Sequence, residues 1–564
     1  MLLLTQQDLK KMSLLKNNLL TCIVLGLILI FSLFIRVYNL GSVPNGLHID
    51  EASLGYNGYS LLLTGKDENN HKLPLYIDMF GDNRPSGYHY LTIPAVKTFG
   101  LSEFATRLPG ALFGAFCVIS FFFLVQILFK NKRISLVAAF LLSISPWGIV
   151  LSRASDEAVV ALFLIITGYC VFLAGIQRKK IMYLFIGAII LSLSFFFYHT
   201  PRVFVPMLVL VSVVYLYPLW KKFNLNTKIS LILSFFIVSF IAFSLVFLIK
   251  GGTGRFSQVN IFQSPGVKII IDQERSSDGV MHTPAIVSRL VHNKLTNYSL
   301  AVASNYLEYF TGSFLFTQGG RPLWYKVPAM GLIYLVELPF IILGIFYLLF
   351  SKEPYHKIPL LWLLIAPITA AFTIDDIPNV NRAIIMFPML ELVAAYGLVM
   401  LSGKIAQVKY KVISAVFIVL LVYNFSYFLQ QYFVDSQANE NWYRYEGFSQ
   451  MMQNVKRNYS NYDQVVVTKD FGGIYPLVLF YMKYNPAIYQ KEGSPKDKED
   501  TGFGKFFFVV GACPSIDRDP KVPKVKKTIY IDNGTCRDYK ELKLYKHDYI
   551  YRKDGTKAFR IVYE

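Results

Sequence analysis

About eleven apolar stretches divide this chain between residues 19 and 432, each near the roughly 20 residues a helix needs to cross a hydrocarbon layer about 30 Å thick. They lie at approximately 19–38, 104–129, 134–151, 157–177, 181–198, 202–220, 229–250, 328–350, 358–374, 383–402 and 412–432. No water reaches backbone amides in hydrocarbon, so segments of this kind must close their hydrogen bonds within themselves, as helices do. Composition points the same way: 54% of the residues are hydrophobic and 16% charged, with 47 Phe and 37 Tyr, too apolar for a soluble chain of 564 residues. The expected fold is a polytopic α-helical membrane protein of about eleven transmembrane helices.

Basic residues orient it. Lys10, Lys11 and Lys16 precede the first stretch, and every second connection is short and basic: Lys130 to Arg133, Arg178 to Lys180, Lys221 and Lys222 with Lys228, Lys352 with Lys357, and Lys404 with Lys409 and Lys411. By the positive-inside rule these connections are cytoplasmic. An odd number of spans then puts the N-terminus inside and the C-terminus outside, in a plasma (inner) membrane. Topology and anionic lipid account for much of the net charge of +20 without a nucleic-acid partner. The first stretch is too long, and lacks the small-residue cleavage site, for a removed signal peptide.

This topology predicts a transmembrane domain over 1–432, with external loops at about 39–103 and 251–327, and a small extracytoplasmic α/β domain over 433–564. In the tail, Gln464 to Val467, Phe506 to Val510 and Thr528 to Ile531 read as strands and Tyr475 to Tyr484 as a helix. A hairpin turned by Asp554-Gly555 is expected over Tyr549 to Tyr563. Cys22, Cys117 and Cys170 fall in apolar segments, whereas Cys513 and Cys536 share the external tail, where an oxidising compartment permits a bridge.

The first external loop carries the densest polar constellation. Asp50-Glu51 follow the first span directly, and Ala52 to Leu63 has apolar residues at helical spacing up to Thr64-Gly65-Lys66, the pattern of an amphipathic helix lying on a membrane surface. Asp50 at the start of that helix reads either as its N-cap or as an oriented base, and the two roles are compatible. Further on come Gly81-Asp82-Asn83-Arg84-Pro85-Ser86-Gly87-Tyr88-His89-Tyr90, a second apolar helix, and Gly100-Leu101-Ser102-Glu103-Phe104-Ala105-Thr106-Arg107.

In order and spacing these residues resemble the C-type (GT-C) glycosyltransferases of the protein O-mannosyltransferase and lipid A aminoarabinose transferase kind, of glycosyltransferase family 39 type. That pattern has an acidic pair after the first span, a Lys/Arg-Pro-Pro motif before aromatic residues, and Gly-x-Ser/Thr-x-x-x-x-Arg opening the second span. Here Ser86 stands where the motif has its second proline. The resemblance covers roughly the first 250 residues and implies a glycosyltransferase whose donor is a sugar on a polyprenyl phosphate, with inversion at the anomeric carbon and the first-loop Asp, Asp50, activating the acceptor. The acceptor is left open between lipid, protein and glycan.

Elementary chemistry assigns the remaining roles as expectations. A base must take the acceptor's proton, which suits Asp50 with Glu51 in support. Cations must meet the leaving phosphate, and Arg84, Arg153, Arg202 and Arg382 are the candidates, since a guanidinium grips phosphate with two bonds. For Arg107, Arg153 and Arg382, at expected helix ends, snorkelling to the interface is the plainer reading. His48, Tyr88, Asp156, Glu157, Tyr198 and His199 are candidate substrate contacts; Asp156-Glu157 is equally a helix cap, and the histidines more often bond locally. The residues establish no cofactor. If a divalent cation is held, Asp50, Asp156 and Glu157 are its candidate ligands, and oxygen donors alone favour magnesium or manganese over zinc. Two rivals stand: a lipid-linked sugar flippase or transporter, and a non-catalytic membrane scaffold.

Overall fold

The computed structural model describes residues 6–79, 82–249, 252, 258–403, 406–439, 441–470, 472–492 and 502–564. It is mostly helical and forms two units, one from residues 1–36, 112–152 and 156–428, the other from 37–111, 153–155 and 429–564. Among the described residues, five helices are long and apolar enough to cross a membrane: Asn18–Val37, Glu103–Phe129, Glu157–Arg178, Leu225–Leu248 and Gln407–Ala438. A sixth follows if the bent pair Lys132–Ile144 and Pro146–Ser152 is one span. Such a set fits a multi-pass membrane protein. The 54° bend between the last two has a local cause: Pro146 lacks an N–H and disfavours helical backbone at Ser145, which is extended at φ −60° and ψ 134°.

In the first unit the apolar stretches near 181, 202, 328 and 383 form shorter helices, Ile181–Phe196, Pro201–Tyr215, Leu335–Leu349 and Phe387–Leu401. Close contact there depends on missing side chains. A Cβ on Gly187 would fall 2.7 Å from the Phe172 backbone nitrogen, so the helix beginning at Ile181 approaches Glu157–Arg178 more nearly than any larger residue permits.

The second unit holds two sheets. Strands β1 (Tyr76–Met79) and β2 (Asp82–Pro85) form an antiparallel pair in which Ile77 faces Arg84. Near the C-terminus, β3 (Gln464–Thr468), β4 (Phe506–Val509), β5 (Thr528–Asn533), β6 (Lys546–Tyr551) and β7 (Lys557–Tyr563) form one sheet in the order β4-β3-β5-β7-β6. β3 runs parallel to β4 and β5, while β7 is antiparallel to β5 and β6. Gln464 to Thr468 is buried at every position, as expected of a central parallel strand covered on both faces. These elements match the strands, the helix (Tyr475–Met482) and the hairpin read from the tail's sequence. Cys513 and Cys536 are joined by a disulfide.

The first-loop helix exists as Ile49–Thr64, ended by Gly65 at φ 69°. It does not lie exposed on a surface. Ten of its 16 residues are buried, among them Ala52 and Tyr56, which join one core with Phe480, Tyr489, Val465 and Phe559. Apolar spacing of this kind marks a buried face without saying what buries it; here the cover is the C-terminal part of the same unit.

Ser86 explains its departure from the double-proline motif. Its N–H donates to the Leu75 carbonyl at 3.1 Å and its hydroxyl to the Pro74 carbonyl at 2.7 Å, fastening the start of helix Gly87–Phe99 to the chain before β1. A proline offers neither donor. We expect Ser86→Pro to lower stability by about 2 kcal/mol through these two bonds, as a reduced midpoint of thermal unfolding; an unchanged midpoint overturns the assignment.

Candidate functional site

The start of helix Ile49–Thr64 is organised by His48. Its Nδ1 accepts the Asp50 N–H at 3.2 Å, while the Glu51 carboxylate accepts the His48 N–H at 3.2 Å, a reciprocal capping box. The cap expected of Asp50 is therefore made by His48, and the Asp50 side chain is spent elsewhere. Burial lowers the His48 pKa below the ordinary histidine range against the opposing pull of Asp50, which keeps the ring neutral and able to accept.

Asp50 reaches the second motif of the loop. Its Oδ2 lies 3.1 Å from Nη1 of Arg84 and 3.6 Å from His48 Nδ1, with Asp50 and Arg84 retaining 24% and 22% of their side-chain exposure. The antiparallel turn of β1 and β2 presents Arg84, whose Nε is held by Asp82 Oδ2 at 3.2 Å. A carboxylate fixed at a helix start and a guanidinium held by Asp82 thus meet where both remain partly exposed.

Glu51, its sequence neighbour, points the other way. It is 3% exposed and receives Arg107 Nε at 2.9 Å, Arg107 Nη2 at 3.2 Å, Arg444 Nη1 at 2.7 Å and the Ser155 hydroxyl at 3.2 Å. Burial alone would raise its pKa; Arg107 and Arg444 outweigh that and hold it at about 2. Arg107 also donates to the carbonyls of Leu40 at 3.2 Å and Pro44 at 2.9 Å. The final arginine of the motif that opens helix Glu103–Phe129 therefore clasps the loop behind Asp50. No pattern near Asp50 announces Arg444, which is 393 positions from Glu51.

Tyr88, His89 and Arg153 of this unit are enclosed. Tyr88 is fully buried, donating to the Thr106 carbonyl and accepting from the Gly110 N–H, both at 3.1 Å. Burial, with Arg84 nearby, lowers the His89 pKa to about 3. Arg153 donates to the Val43 carbonyl at 2.8 Å, with its guanidinium 4.9 Å from the Phe433 ring centre.

The remaining candidates lie in the first unit. Asp156 caps Glu157–Arg178, accepting the Ala158 N–H at 2.8 Å, and Glu157 opens that helix. Arg202 donates to the Phe195 carbonyl at 2.9 Å from Nη2 and lies 3.0 Å from His199 Nδ1, one turn after Tyr198 bonds back to Ser194. Arg382 pairs with Asp375 at 2.8 Å and donates to Thr373 Oγ1 at 2.7 Å. Among the described residues no three His, Cys, Asp or Glu side chains gather as a metal site. The neighbours of Asp50 include the Arg84 guanidinium and the His48 imidazole.

Residues 83–247 match the family model of dolichyl-phosphate-mannose-protein mannosyltransferase. No curated protein sequence matches the chain. Among solved structures, ArnT from Cupriavidus metallidurans bound to undecaprenyl phosphate is similar at 11% identity and a TM-score of 0.53, covering 97% of each chain. The same protein in its apo state gives 12% identity and 0.51, covering 98% of each. The apo oligosaccharyltransferase of Archaeoglobus fulgidus aligns at 14% identity and 0.50 over 82% of this chain; the chain spans 64% of that protein's length. Family model and fold together bear out the resemblance of this chain to the C-type glycosyltransferases of the protein O-mannosyltransferase and lipid A aminoarabinose transferase kind.

Proposed function

We propose that this protein is an integral-membrane glycosyltransferase that moves a sugar from a polyprenyl phosphate to an acceptor at the extracytoplasmic face. The observation that carries the reading is the 3.1 Å pairing of Asp50 with Arg84, two partly open side chains from the first two motifs of the loop. The ArnT structure with undecaprenyl phosphate supports a lipid-phosphate donor by analogy of fold. The topology belonging to this reading has eleven spans over 1–432, a cytoplasmic N-terminus and an external α/β domain over 433–564; the Cys513–Cys536 disulfide supports an oxidising side for that domain.

The chemistry is a single displacement. The acceptor oxygen attacks the anomeric carbon, its proton passes to Asp50, and the bond from that carbon to the phosphate oxygen breaks with its electron pair going to the phosphate. Arg84 receives the charge that builds there. Arg202 is carried in the same role by the sequence pattern alone. Glu51, locked between Arg107 and Arg444, positions Asp50 by fixing the first turn of its helix. No step is routed through a metal.

The test is to reconstitute the full chain with a panel of polyprenyl-phosphate sugars and follow transfer with and without EDTA. Transfer from at least one donor, surviving EDTA, is expected. Arg84→Ala is expected to cost about 2–4 kcal/mol of transition-state stabilisation, read as a loss of roughly a hundredfold in kcat. Movement of the lipid-linked sugar across the membrane without transfer would establish the transporter rival. Full transfer by Arg84→Ala would remove the phosphate assignment, and loss on EDTA treatment would require a metal step.

A further inference from the structure

We propose that residues 280–310, within the second external loop, form an amphipathic hairpin set into the lipid of the membrane surface, so that this part of the loop docks on acyl chains. The inference uses the span assigned to 358–374 and owes nothing to the transferase chemistry. All the residues concerned belong to the first unit. Met281, Ile286, Leu290, Leu295, Leu300 and Leu307 are each between 63% and 82% exposed. Aliphatic side chains gathered in this way mark an interaction surface.

The exposed residues fall into stripes. Ile286 and Leu290 are one turn apart on helix Ala285–Val291, and Leu300 and Leu307 two turns apart on helix Lys294–Glu308, with exposed Ala303 between them. Their polar neighbours turn to one another. His292 Nδ1 lies 2.9 Å from Glu274 Oε2 and its Nε2 3.4 Å from Asp278 Oδ2. Asn297 Nδ2 donates to the same Glu274 oxygen at 3.0 Å, and Arg275 Nε to the His292 carbonyl at 2.7 Å. Helix Pro265–Val280 keeps the water side, with Asp272, Gln273, Ser276 and Ser277 exposed along it.

Depth selects lipid over a soluble partner. Near the start of helix Lys294–Glu308, the Tyr298 hydroxyl donates to the Phe262 carbonyl at 3.0 Å, and the Phe262 ring lies 6.0 Å from that of Phe372. Farther along, Asn305 Nδ2 donates to the carbonyls of Ala371 at 3.1 Å and Thr373 at 3.0 Å. The Tyr306 hydroxyl donates to the Leu364 carbonyl at 2.9 Å, and Leu364 is itself exposed within the apolar stretch 358–374. At 1.5 Å per helical residue, Leu364 sits roughly 12 Å below Phe372. A hydroxyl that reaches so far into an apolar stretch has to find its acceptor within the protein, as this one does. A partner arriving from water would have to enter hydrocarbon to cover Leu307 beside it. Arg289 and Lys294, both exposed, are long enough to return their charges to headgroup phosphates.

The experiment places the full chain, with the exposed Cys22 changed to Ser, in lipid nanodiscs. A nitrobenzoxadiazole label is attached in turn at Ile286→Cys, Leu290→Cys and Leu307→Cys, with Ser276→Cys as the water-facing control and the Cys22→Ser chain as the blank. At the three apolar positions brominated acyl chains are expected to quench several-fold more than at the control, from a depth of about 5–10 Å. Iodide is expected to quench the control and spare the three. Iodide quenching at the apolar positions equal to that of Ser276→Cys overturns the proposal by placing the hairpin in water. Protection from both quenchers overturns it as well, and cross-linking of two copies through Leu290→Cys then identifies a second copy as the cover. Because depth is the readout, the result is decided whether or not any sugar is transferred.

Discussion

Asp50→Asn is expected to retain donor binding while lowering kcat for sugar transfer roughly a thousandfold, within the 10²–10⁴ range that a positioned general base contributes. The substitution is nearly isosteric, and the cap of the helix does not depend on it, since His48 and Glu51 make the capping box. Folding and thermal midpoint should therefore be close to wild type, which isolates the chemical step. Neutral Asn also frees Arg84 from its carboxylate partner 3.1 Å away, so donor KM should fall or hold, never rise. Full kcat in Asp50→Asn would remove Asp50 from the reaction, and a lower kcat with a lost thermal midpoint would make its role structural.

Glu51→Gln is expected to act on the fold. Removing one partner of a buried charge cluster strands the others, at a cost of about 3–5 kcal/mol, and here two guanidiniums, Arg107 and Arg444, lose the carboxylate that sits 2.9 Å and 2.7 Å away. A lower thermal midpoint and parallel loss in Arg444→Ala are the signatures, with the double variant costing less than the sum. The pH dependence has a definite sign. Glu51 is held at about 2, below the usual carboxylate value, because its two arginines outweigh the opposing effect of burial. Its stabilisation is thus complete above about pH 4.5 and is lost as pH falls through 2. Glu51→Gln should flatten that acid limb. If Glu51 instead touched the acceptor, the variant would raise acceptor KM with an unchanged midpoint.

The legible parts of this chain were those with a local cause. Strands β3, β5 and β7 are short β-branched and aromatic runs, and Asp554-Gly555 marks their last turn. Helix Ile49–Thr64 follows from spacing, and Arg84 was singled out by its motif. What the sequence withheld depends on distance. Asp50 and Glu51 look interchangeable in the chain, yet consecutive helical positions point about 100° apart, and only the arrival of Arg107, Ser155 and Arg444 decides that one is buried and the other open. His48 carried no signal as a cap because histidine is not among the usual capping residues. The apolar runs near 181, 202 and 383 form helices shorter than a full span, and the one at 202 ends at Leu216, ahead of Pro218.

One feature of the second unit bears on how the protein is made. Its residues come from 37–111, 153–155 and 429–564, with the first unit's chain emerging between them. Glu51 and Arg107 are synthesised early, but Arg444 and the core around Val465 and Phe559 come hundreds of residues later. At about 5–20 residues per second, that interval lasts tens of seconds. During it, a nascent loop bearing Ala52, Tyr56 and a half-paired Glu51 has to wait without its cover. Completion of the site is thereby tied to release of the last segment of the chain, and a ribosome-bound intermediate stalled before residue 429 should expose this loop to protease.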